Sequence, residues 1–435
     1  MNNINIIINK FNKCADFIYK KEIINNENYY LFFLSSLINQ ELLFKIFNNI
    51  LMFEYNQEIL NIKDTINEIL IGNLIIIFPN NKIYSYDIKK YPYKAISSPE
   101  VERSVRGSKD SFTENIVDNI ALIRRRIKTC DLCICNYIIS KKSKMNISVI
   151  YLNNLVDKKA LRIILSRIKK INLESLIMSD RALEETIVKQ KYNVFPLTRY
   201  TERPDVASIN LIRGKIVILV DTSSNALILP ISIFDHFKNV EEYKQNPLIG
   251  SFTKTLRLIG SLISMFLVPL FILFTIEDGY NNGIIPLYKL KLSNPLLIEV
   301  SIVSMILEII RIAIVHTPNA LISSLSMLTA IILGEISISL GLFSSEILLV
   351  TSLAIVCNFA TPSYELSLAN RFVSMFLILL TCIFKVKGFL MGIFFLFIYL
   401  THIKILSVPY LYPICPFDFD MFKNLFIRRD SKKKK

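Results

Sequence analysis

The sequence predicts an α/β cytosolic N-terminal region of two subdomains, followed by an all-α polytopic membrane domain of four to six helices. Residues Leu258–Ile276 contain no Asp, Glu, Lys, Arg or His, and a helix of that length crosses a hydrocarbon core of about 30 Å. The residues before this run are strongly charged, and their apolar segments alternate between strand and helix periods. The chain therefore joins an aqueous region to a bilayer.

Residues 111–128 are the clearest predicted helix. Ser111, with Glu114 three positions later, has the pattern of a capping box. One apolar stripe follows, formed by Ile116, Ile120, Ile123 and Ile127. Basic residues fill the last turn, where cations complement the helix dipole.

Other elements are predicted on both sides of this helix. The first forty residues read as irregular, because Asn interrupts their apolar clusters. In chain order the predicted elements are the helix Ile62–Leu70, the strand Leu74–Phe78, the strand Ile147–Tyr151, a helix capped by Asp157, the strand Leu173–Met178, the helix Asp180–Lys189 and a hairpin of Lys215–Val220 and Ala226–Pro230. Asp221 reads as a residue of the hairpin turn.

Domain boundaries are expected where composition and periodicity change. The predicted parts are a variable N-terminal segment at 1–40, a cytosolic α/β subdomain at 41–195, a second cytosolic subdomain with the hairpin at 196–246, a transmembrane helical domain at 247–405 and a basic cytosolic tail at 406–435. Within the membrane domain, Pro362 interrupts one apolar stretch, and Lys385 with Lys387 divides the last one. Because each break can end a helix or interrupt it, the number of membrane crossings is predicted only as a range of four to six.

The charge distribution predicts an orientation. The net charge is +15, and the last residues include Arg428, Arg429 and Lys432–Lys435. The start of the chain is too short in apolar length for a signal peptide, and basic residues flank the membrane half on both sides, so both termini are expected in the cytosol. The tail is expected to attract the lipid membrane, whereas no interleaving of aromatic and basic residues suggests nucleic acid.

No group of residues indicates catalysis, a cofactor or a metal centre. The chain has no phosphate loop, dinucleotide fingerprint or Gly-x-Ser-x-Gly, and its 3 histidines lie far apart. Cys130, Cys133 and Cys135 lie close together, but no fourth ligand follows at zinc spacing. We therefore expect no enzyme, and buried thiols in a reducing compartment.

Four charged residues lie inside apolar segments, namely Glu299, Glu308, Arg311 and Glu335. A charge at mid-bilayer costs on the order of 3 kcal/mol, so these side chains should face a bundle interior, an aqueous path or another subunit. Glu308 and Arg311, three residues apart, can pair on one helical face. Alternatively, their segment lies along the membrane surface with its acids in water. Glu335, beside small residues such as Gly334, is a candidate for a cation path or a tight helix interface.

Three groups of residues resemble the motifs of the GerA family, the A subunits of spore germinant receptors. The first group is Glu102, Arg106, Gly107, Phe112, Glu114, Asn119, Arg124 and Arg126. The second is Arg203, Pro204, Gly214 and Asp221, and the third is Pro362, Tyr364, Ser367 and Arg371. The closing SVPYLYP and PFDFDMFKNLFIR also resemble the family. Glu335 departs from it, because a neutral polar residue is expected at that position.

The resemblance spans roughly residues 40–430 and implies a function. It implies a subunit of a nutrient (germinant) receptor that triggers germination from the spore inner membrane, with a transporter-like B subunit and a lipoprotein C subunit. It also suggests that A subunits form a homo-oligomer and conduct or gate ions. A secondary transporter and a membrane-anchored scaffold without a pore are the alternatives, and the transporter is disfavoured because Pro362 is the one candidate helix break found.

The motif residues have two interpretations. Glu102 and Glu114, opposite Arg103, Arg106 and Arg124, can form ion pairs within the domain, or these groups can bind a ligand or a neighbouring subunit. The Gly that follows Arg106 is expected to allow a turn. In the membrane half, the candidates for a pore or interface are Glu299, Glu308, Arg311, Glu335, Pro362, Tyr364 and Arg371.

Overall fold

The computed structural model describes residues 2–24, 26–48, 57–59, 61–90, 102, 107–171, 179–188, 190, 192–239, 241–276, 296–317 and 319–427. These residues form two compact units. Unit 1 is drawn from Met1–Lys191, Leu197–Ile231 and Ile405–Val408, and unit 2 from Tyr192–Pro196, Ser232–Lys404 and Pro409–Lys435.

Unit 1 combines helices with two five-stranded sheets. Its strands are β1 (Phe17–Ile24), β2 (Glu27–Leu34), β3 (Gln57–Ile59), β4 (Leu74–Ile77), β5 (Ile83–Tyr86), β6 (Leu132–Ile139), β7 (Met145–Leu152), β8 (Arg199–Thr201), β9 (Ile216–Val220) and β10 (Ala226–Leu229). Its helices are α1 (Asn2–Phe11), α2 (Gln40–Asn48), α3 (Ile62–Ile71), α4 (Ile116–Arg126), α5 (Lys158–Lys169), α6 (Ser179–Val188) and α7 (Pro204–Ile212).

The first sheet has the strand order β1-β2-β4-β5-β3 and is antiparallel. Alternate residues of β2 and β4 face two different cores, one shared with α1 and α3 and the other with α2. A strand buried on both faces reads as a continuous apolar run, as β4 does. The prediction of an irregular N-terminal segment is wrong, because α1, β1 and β2 all lie within the first forty residues. Asn26, with φ 61°, lies in the turn that joins β1 and β2.

The second sheet has the order β6-β7-β9-β10-β8, also antiparallel. The predicted hairpin is confirmed as β9 and β10, which are fully buried. It pairs directly with β7, so the expected boundary between residues 195 and 196 falls within one sheet. Ile147 of β7 lies opposite Val220 of β9, so the hairpin adds its two strands to the sheet that β6 and β7 begin.

Most element predictions in unit 1 are confirmed, with one helix start corrected. The predictions for α3, β4, β7, α6 and the Asp157 cap of α5 are confirmed, and the strand expected at 173–178 lies outside the described residues. The capping box at Ser111 and Glu114 is wrong. Helix α4 begins five residues later, and its N-cap is Asn115, whose side chain accepts a hydrogen bond from the Val117 amide.

Unit 2 is helical. Its elements are a 3-10 turn at Ile233–Phe237, then α8 (Glu241–Lys244), α9 (Pro247–Ile276), α10 (Leu296–His316), α11 (Asn319–Thr329), a π-helical segment at Ala330–Ile336, α12 (Ser337–Ser339), α13 (Ser345–Asn358), α14 (Tyr364–His402) and α15 (Phe419–Phe426). Two short strands, β11 (Lys404–Ile405) and β12 (Val408–Pro409), follow α14. Among the described residues, three stretches are long and apolar enough to cross a membrane: Pro247–Thr275, Leu321–Ser339 and Tyr364–His402.

Helix α14 is folded into a hairpin rather than extended. Lys385 lies in the left-handed region, with φ 52° and ψ −134°, and interrupts the helix. A Cβ atom at Gly388 would meet the carbonyl of Leu380, and one at Gly392 would meet the side chain of Leu377. Residues eight and fifteen apart touch only if the chain doubles back, so the two arms lie antiparallel. The two glycines, four residues apart on one arm, allow the close approach.

We expect Gly388→Ala to destabilise unit 2, because the added methyl group collides with backbone of the facing arm. Overpacking of this kind costs about 1–3 kcal/mol. Thermal unfolding of the detergent-solubilised chain measures the effect. Gly334→Ala is the matched control, since a Cβ there meets no atom within 4 Å. Equal midpoints for the two variants would contradict the hairpin.

Candidate functional site

The first two motif groups interlock in unit 1 through Arg203, which is 1% exposed. Its Nη1 donates to the carbonyl oxygen of Glu102 at 3.1 Å, and its Nη2 donates to that of Ser108 at 2.9 Å. Nε and Nη2 also bind the Asp205 carboxylate at 3.0 and 2.8 Å. Gly107, with φ 103°, provides the left-handed turn predicted for it. Arg203 therefore holds both ends of the motif turn.

Other members of these groups complete the same network. The Glu102 carboxylate pairs with Arg199 of β8 at 3.3 Å and accepts from the Thr201 hydroxyl. Pro204 is the first residue of α7, where its missing N–H has no cost. Arg106 lies outside the described residues, so its predicted pairing stays a prediction.

A buried ion pair joins α4 to the start of β1. Arg124 is fully buried and donates from Nε and Nη2 to the two oxygens of Asp16, at 3.0 and 2.8 Å. Ser36 adds a hydroxyl donor to the same carboxylate at 3.0 Å. The expected partners of Arg124, Glu102 and Glu114, are wrong for this residue. Asp16 lies 108 positions away in the chain, so no local pattern could have indicated it.

Arg126 holds the segment that leads into α4. Its Nη2 binds both oxygens of Asp110, at 2.7 and 2.5 Å, and the Ser108 hydroxyl at 2.9 Å. Burial by itself raises the pKa of the Asp110 carboxyl. The hydrogen bonds from Arg126 and Ser108 together lower this pKa by more than burial raises it, so the pKa lies below its usual value.

Three more residues of the motif groups make hydrogen bonds that involve backbone groups in or just before the first turn of α4. Asn119 is 1% exposed and exchanges hydrogen bonds with the Thr113 amide and carbonyl at 2.7 and 2.6 Å. The Phe112 amide donates to the carbonyl of Glu202 at 2.7 Å, and its ring is buried. Asp221 is more than a turn residue, because its carboxylate accepts from the Ile116 amide at 3.3 Å.

Glu114, another residue of the first motif group, has an exposed side chain, and its carbonyl oxygen accepts from the Thr222 amide at 2.8 Å. The geometry around the motif is thus mainly one of ion pairs and backbone hydrogen bonds within unit 1. This arrangement agrees with the interpretation that the motif fixes the fold. Burial leaves little of Arg124 and Arg203 free to meet a ligand.

In unit 2, Glu308 lies between two arginines. Arg311 donates to Glu308 at 3.0 Å from Nε, as the spacing predicted, and also contacts the ring of Tyr364, 5.6 Å from its centroid. Arg371 of α14 lies with Nε 3.7 Å from the other Glu308 oxygen, and its Nη2 donates to the Ser304 carbonyl at 2.9 Å. Both arginines are buried, and α10 is joined to α14 by the contacts of Arg371 and by the hydrogen bond that Arg311 Nη1 donates to the Ser367 hydroxyl at 3.3 Å.

This cluster contradicts the alternative in which the second apolar segment lies along the surface. Glu299 is 1% exposed, and one of its oxygens accepts from the amide and hydroxyl of Ser344, the N-cap of α13. A surface helix would leave its acids in water. Pro362 lies in the short break between α13 and α14, where Ser363 caps α14. This confirms the break.

Glu335 differs from the other three charges that the sequence places in apolar segments, because its side chain is exposed. It lies in the π-helical segment, where the backbone hydrogen-bond ladder is widened. In the most apolar part of the surrounding stretch Leu321–Ser339, 12% of the residues are buried inside the protein. The corresponding share is 39% for Pro247–Thr275 and 33% for Tyr364–His402. Within the described part of the chain, no residue forms an ion pair with Glu335.

The thiols near β6 lie close together in the sequence. Among the residues that the structure describes, no three His, Cys, Asp or Glu side chains are arranged to hold a metal ion. Burial raises the pKa of the Cys133 thiol to about 11, which keeps it protonated near neutral pH.

A sequence profile of the family described as Bacillus/Clostridium GerA spore germination protein matches residues 4–435. The chain belongs to this family. Over 377 residues, this GerA-family chain is 36% identical to stage V sporulation protein AF of Bacillus subtilis (strain 168), covering 86% of this chain and 76% of that protein. It is 29% identical to spore germination protein XA of Bacillus anthracis over 354 residues, covering 79% and 71% of the two chains.

A solved structure is also similar. It is the N-terminal domain of the A subunit of the Bacillus megaterium spore germinant receptor GerK3, with 25% sequence identity and a TM-score of 0.38. The match covers 52% of this chain and 92% of that domain.

We expect Arg124→Gln to destabilise unit 1 strongly, because it leaves the Asp16 carboxylate buried without its guanidinium partner. Breaking a buried pair from one side costs about 3–5 kcal/mol. Denaturant unfolding of the detergent-solubilised chain, followed by circular dichroism, measures it. The control is Lys20→Gln, which removes the exposed pair with Glu22 and should cost under about 1 kcal/mol. Equal losses of unfolding free energy in the two variants would contradict a large contribution from the buried pair.

The lowered pKa of Asp110 predicts acid sensitivity. A carboxyl whose pKa falls on folding contributes stability above its unfolded value of about 3.9, and this contribution is lost as the pH drops toward the folded value. Arg126→Gln should remove part of that dependence. Unfolding midpoints measured between acidic and neutral pH should therefore fall less steeply below about pH 4 in the variant. Parallel curves would show that Arg126 does not set the pKa.

Proposed function

We propose that this chain is the A-type subunit of a nutrient (germinant) receptor that triggers spore germination, and that copies of its helical unit assemble into a membrane base that forms or gates a cation path. Family membership supports the general role, since relatives are named spore germination proteins. The observation that carries the membrane mechanism is the exposed carboxylate of Glu335.

An exposed acid on a membrane-crossing stretch requires a polar neighbour. Lipid cannot solvate the carboxylate, and a charge at this depth costs on the order of 3 kcal/mol unless protein or water surrounds it. The stretch Leu321–Ser339 is also far less buried than the other two apolar stretches. Neighbouring copies that present Glu335 to a shared axis meet both conditions. A ring of acids around an aqueous path selects cations.

The buried charges suggest which helices stay fixed and which move. Glu308, Arg311 and Arg371 bind α10 to α14, and Glu299 holds the start of α13. The stretch α11–α12 has little packing of its own and contains the π-helical segment. A rotation of this stretch between two packed positions would change the exposure of Glu335 to the path.

Partners and location follow from the family role. In this proposal, nutrient binding on transporter-like B and lipoprotein C subunits is coupled through the cytosolic unit to the membrane base. The complex lies in the spore inner membrane, with both termini on the cytosolic side, as the basic flanks favour. The function is conduction and signalling without catalysis or a cofactor.

A role in spore formation is the second candidate. It is favoured by the 36% identity to a protein named for stage V of sporulation, against 25–30% for the relatives named for germination. The two roles differ in timing. A sporulation protein acts before the spore is dormant, so its loss reduces the yield or cation content of mature spores.

Glu335→Gln tests the cation path. Spores with normal protein levels and normal cation content should release cations roughly tenfold more slowly on germination, equivalent to about 1.4 kcal/mol of barrier. The matched control is Glu346→Gln, which neutralises another exposed acid in the first turn of α13 and should leave release unchanged. Unchanged release in Glu335→Gln spores removes this residue from the path. Low cation content before germination would support the sporulation role instead.

A further inference from the structure

The last described helix, α15, has an apolar side that is largely uncovered. Leu425 packs inward at 8% exposed, whereas Phe419 is 68% and Met421 48% exposed. Phe417 stands 5.6 Å from Phe422, and Phe422 stands 5.5 Å from Phe426, between ring centroids. We refer to Phe417, Phe419, Phe422 and Phe426 as the aromatic ridge. Asp420 and Asn424 lie on the opposite side by helical spacing, and Lys423, four residues after Phe419, flanks the ridge.

The depth of α15 follows from its contact with α9. The Lys254 ammonium donates to the carbonyl oxygen of Asn424 in the last turn of α15. Lys254 precedes Leu258, where the uncharged run begins, by about 6 Å at the helical rise. The polar layer on each side of a bilayer core is roughly 5–8 Å thick. With the membrane boundary placed at Leu258, where the uncharged run begins, α15 lies at the depth of the lipid headgroups.

Apolar side chains of α9 are also uncovered before the uncharged run begins. Leu248, Phe252 and Leu256 recur every four residues and are 80%, 62% and 50% exposed. They lie on the same helix as the uncharged run, so an uncovered apolar surface of α9 continues into the membrane-crossing stretch. A surface with this continuity is suited to the bilayer itself more than to a soluble protein.

The charges near the ridge match an anionic surface. Lys423 is exposed on α15, and the sequence that follows contains Arg428, Arg429 and Lys432–Lys435 against the single acid Asp430. The acids of the helix have local roles or point away, since Asp418 caps the Met421 amide at 3.1 Å and Asp420 lies on the polar side. Clustered basic residues beside an amphipathic helix attract anionic lipid headgroups.

We propose that α15 is an interfacial anchor, with the aromatic ridge inserted at the boundary between headgroups and acyl chains and the basic residues after it bound to anionic phospholipid. This proposal rests on the membrane placement of unit 2 and not on the receptor role. The anchor would tie the C-terminal segment and the start of α9 to the cytosolic leaflet.

The chain contains no tryptophan, so one introduced tryptophan reports on the ridge alone. Full-length Phe419→Trp protein is reconstituted in nanodiscs of phosphatidylcholine with or without phosphatidylglycerol. We expect emission shifted to shorter wavelength, and about half of it quenched when the lipids carry bromine near the headgroup. The control is Ile138→Trp on β6, which is 71% exposed and should be neither shifted nor quenched.

A second variant tests the charges, with Arg428, Arg429 and Lys432–Lys435 changed to Gln in the Phe419→Trp background. Quenching should depend on phosphatidylglycerol in the parent and lose that dependence in this variant. Unquenched emission that matches the Ile138→Trp control overturns the anchor. Shifted emission that bromine does not quench also overturns it, because a second copy or another protein then covers the ridge. Quenching that ignores phosphatidylglycerol in the parent overturns the headgroup assignment.

Discussion

Both units depend on one constraint, which is that charges removed from water must be neutralised and hydrogen-bonded. In unit 1, Arg124 and Arg203 are almost fully buried, and each binds one carboxylate with two nitrogens. In unit 2, Arg311 and Arg371 share Glu308. Arginine suits such sites because its planar donors match a carboxylate and it stays charged when buried. Two of these pairs, Arg124 with Asp16 and Arg371 with Glu308, join elements that are distant in the chain, so these charges help to specify the packing within each unit.

The buried pairs also explain why the motif residues cluster. Arg203 reaches the carbonyls that flank the Gly107 turn, while Arg126 and Asp110 hold the segment beyond it. The motif is therefore a set of mutually dependent contacts around one turn. Glu335 is the contrasting case, because its carboxylate is exposed on a stretch that unit 2 leaves mostly uncovered. A charge left exposed where burial is the norm is the better indication of a function outside the single chain.

Sequence patterns predicted elements well where one local signal dominated. Examples are the continuous apolar run of β4, the Asp157 cap of α5 and the pairing of Glu308 with Arg311. Sequence patterns failed where the contacts of a residue or strand depend on a partner far away in the chain. The partner of Arg124 is Asp16, and the hairpin β9–β10 joins β7 through register. Ser111 and Glu114 fit a capping box, but Asn115 sits next to the helix and caps it first. The asparagines that interrupt the apolar clusters of the first forty residues predict irregular structure, whereas Asn26 lies in the turn between β1 and β2.

The hairpin at Lys385 has a consequence for how the helical unit is made. Its second arm returns the chain toward α9, so Lys254 meets Asn424, 170 positions later in the sequence. A contact between such distant positions cannot form until the residues that separate them have been synthesised. The first membrane helix must therefore persist without this contact while α10 to α15 are added, so the packing of α15 is a late step in the assembly of this unit.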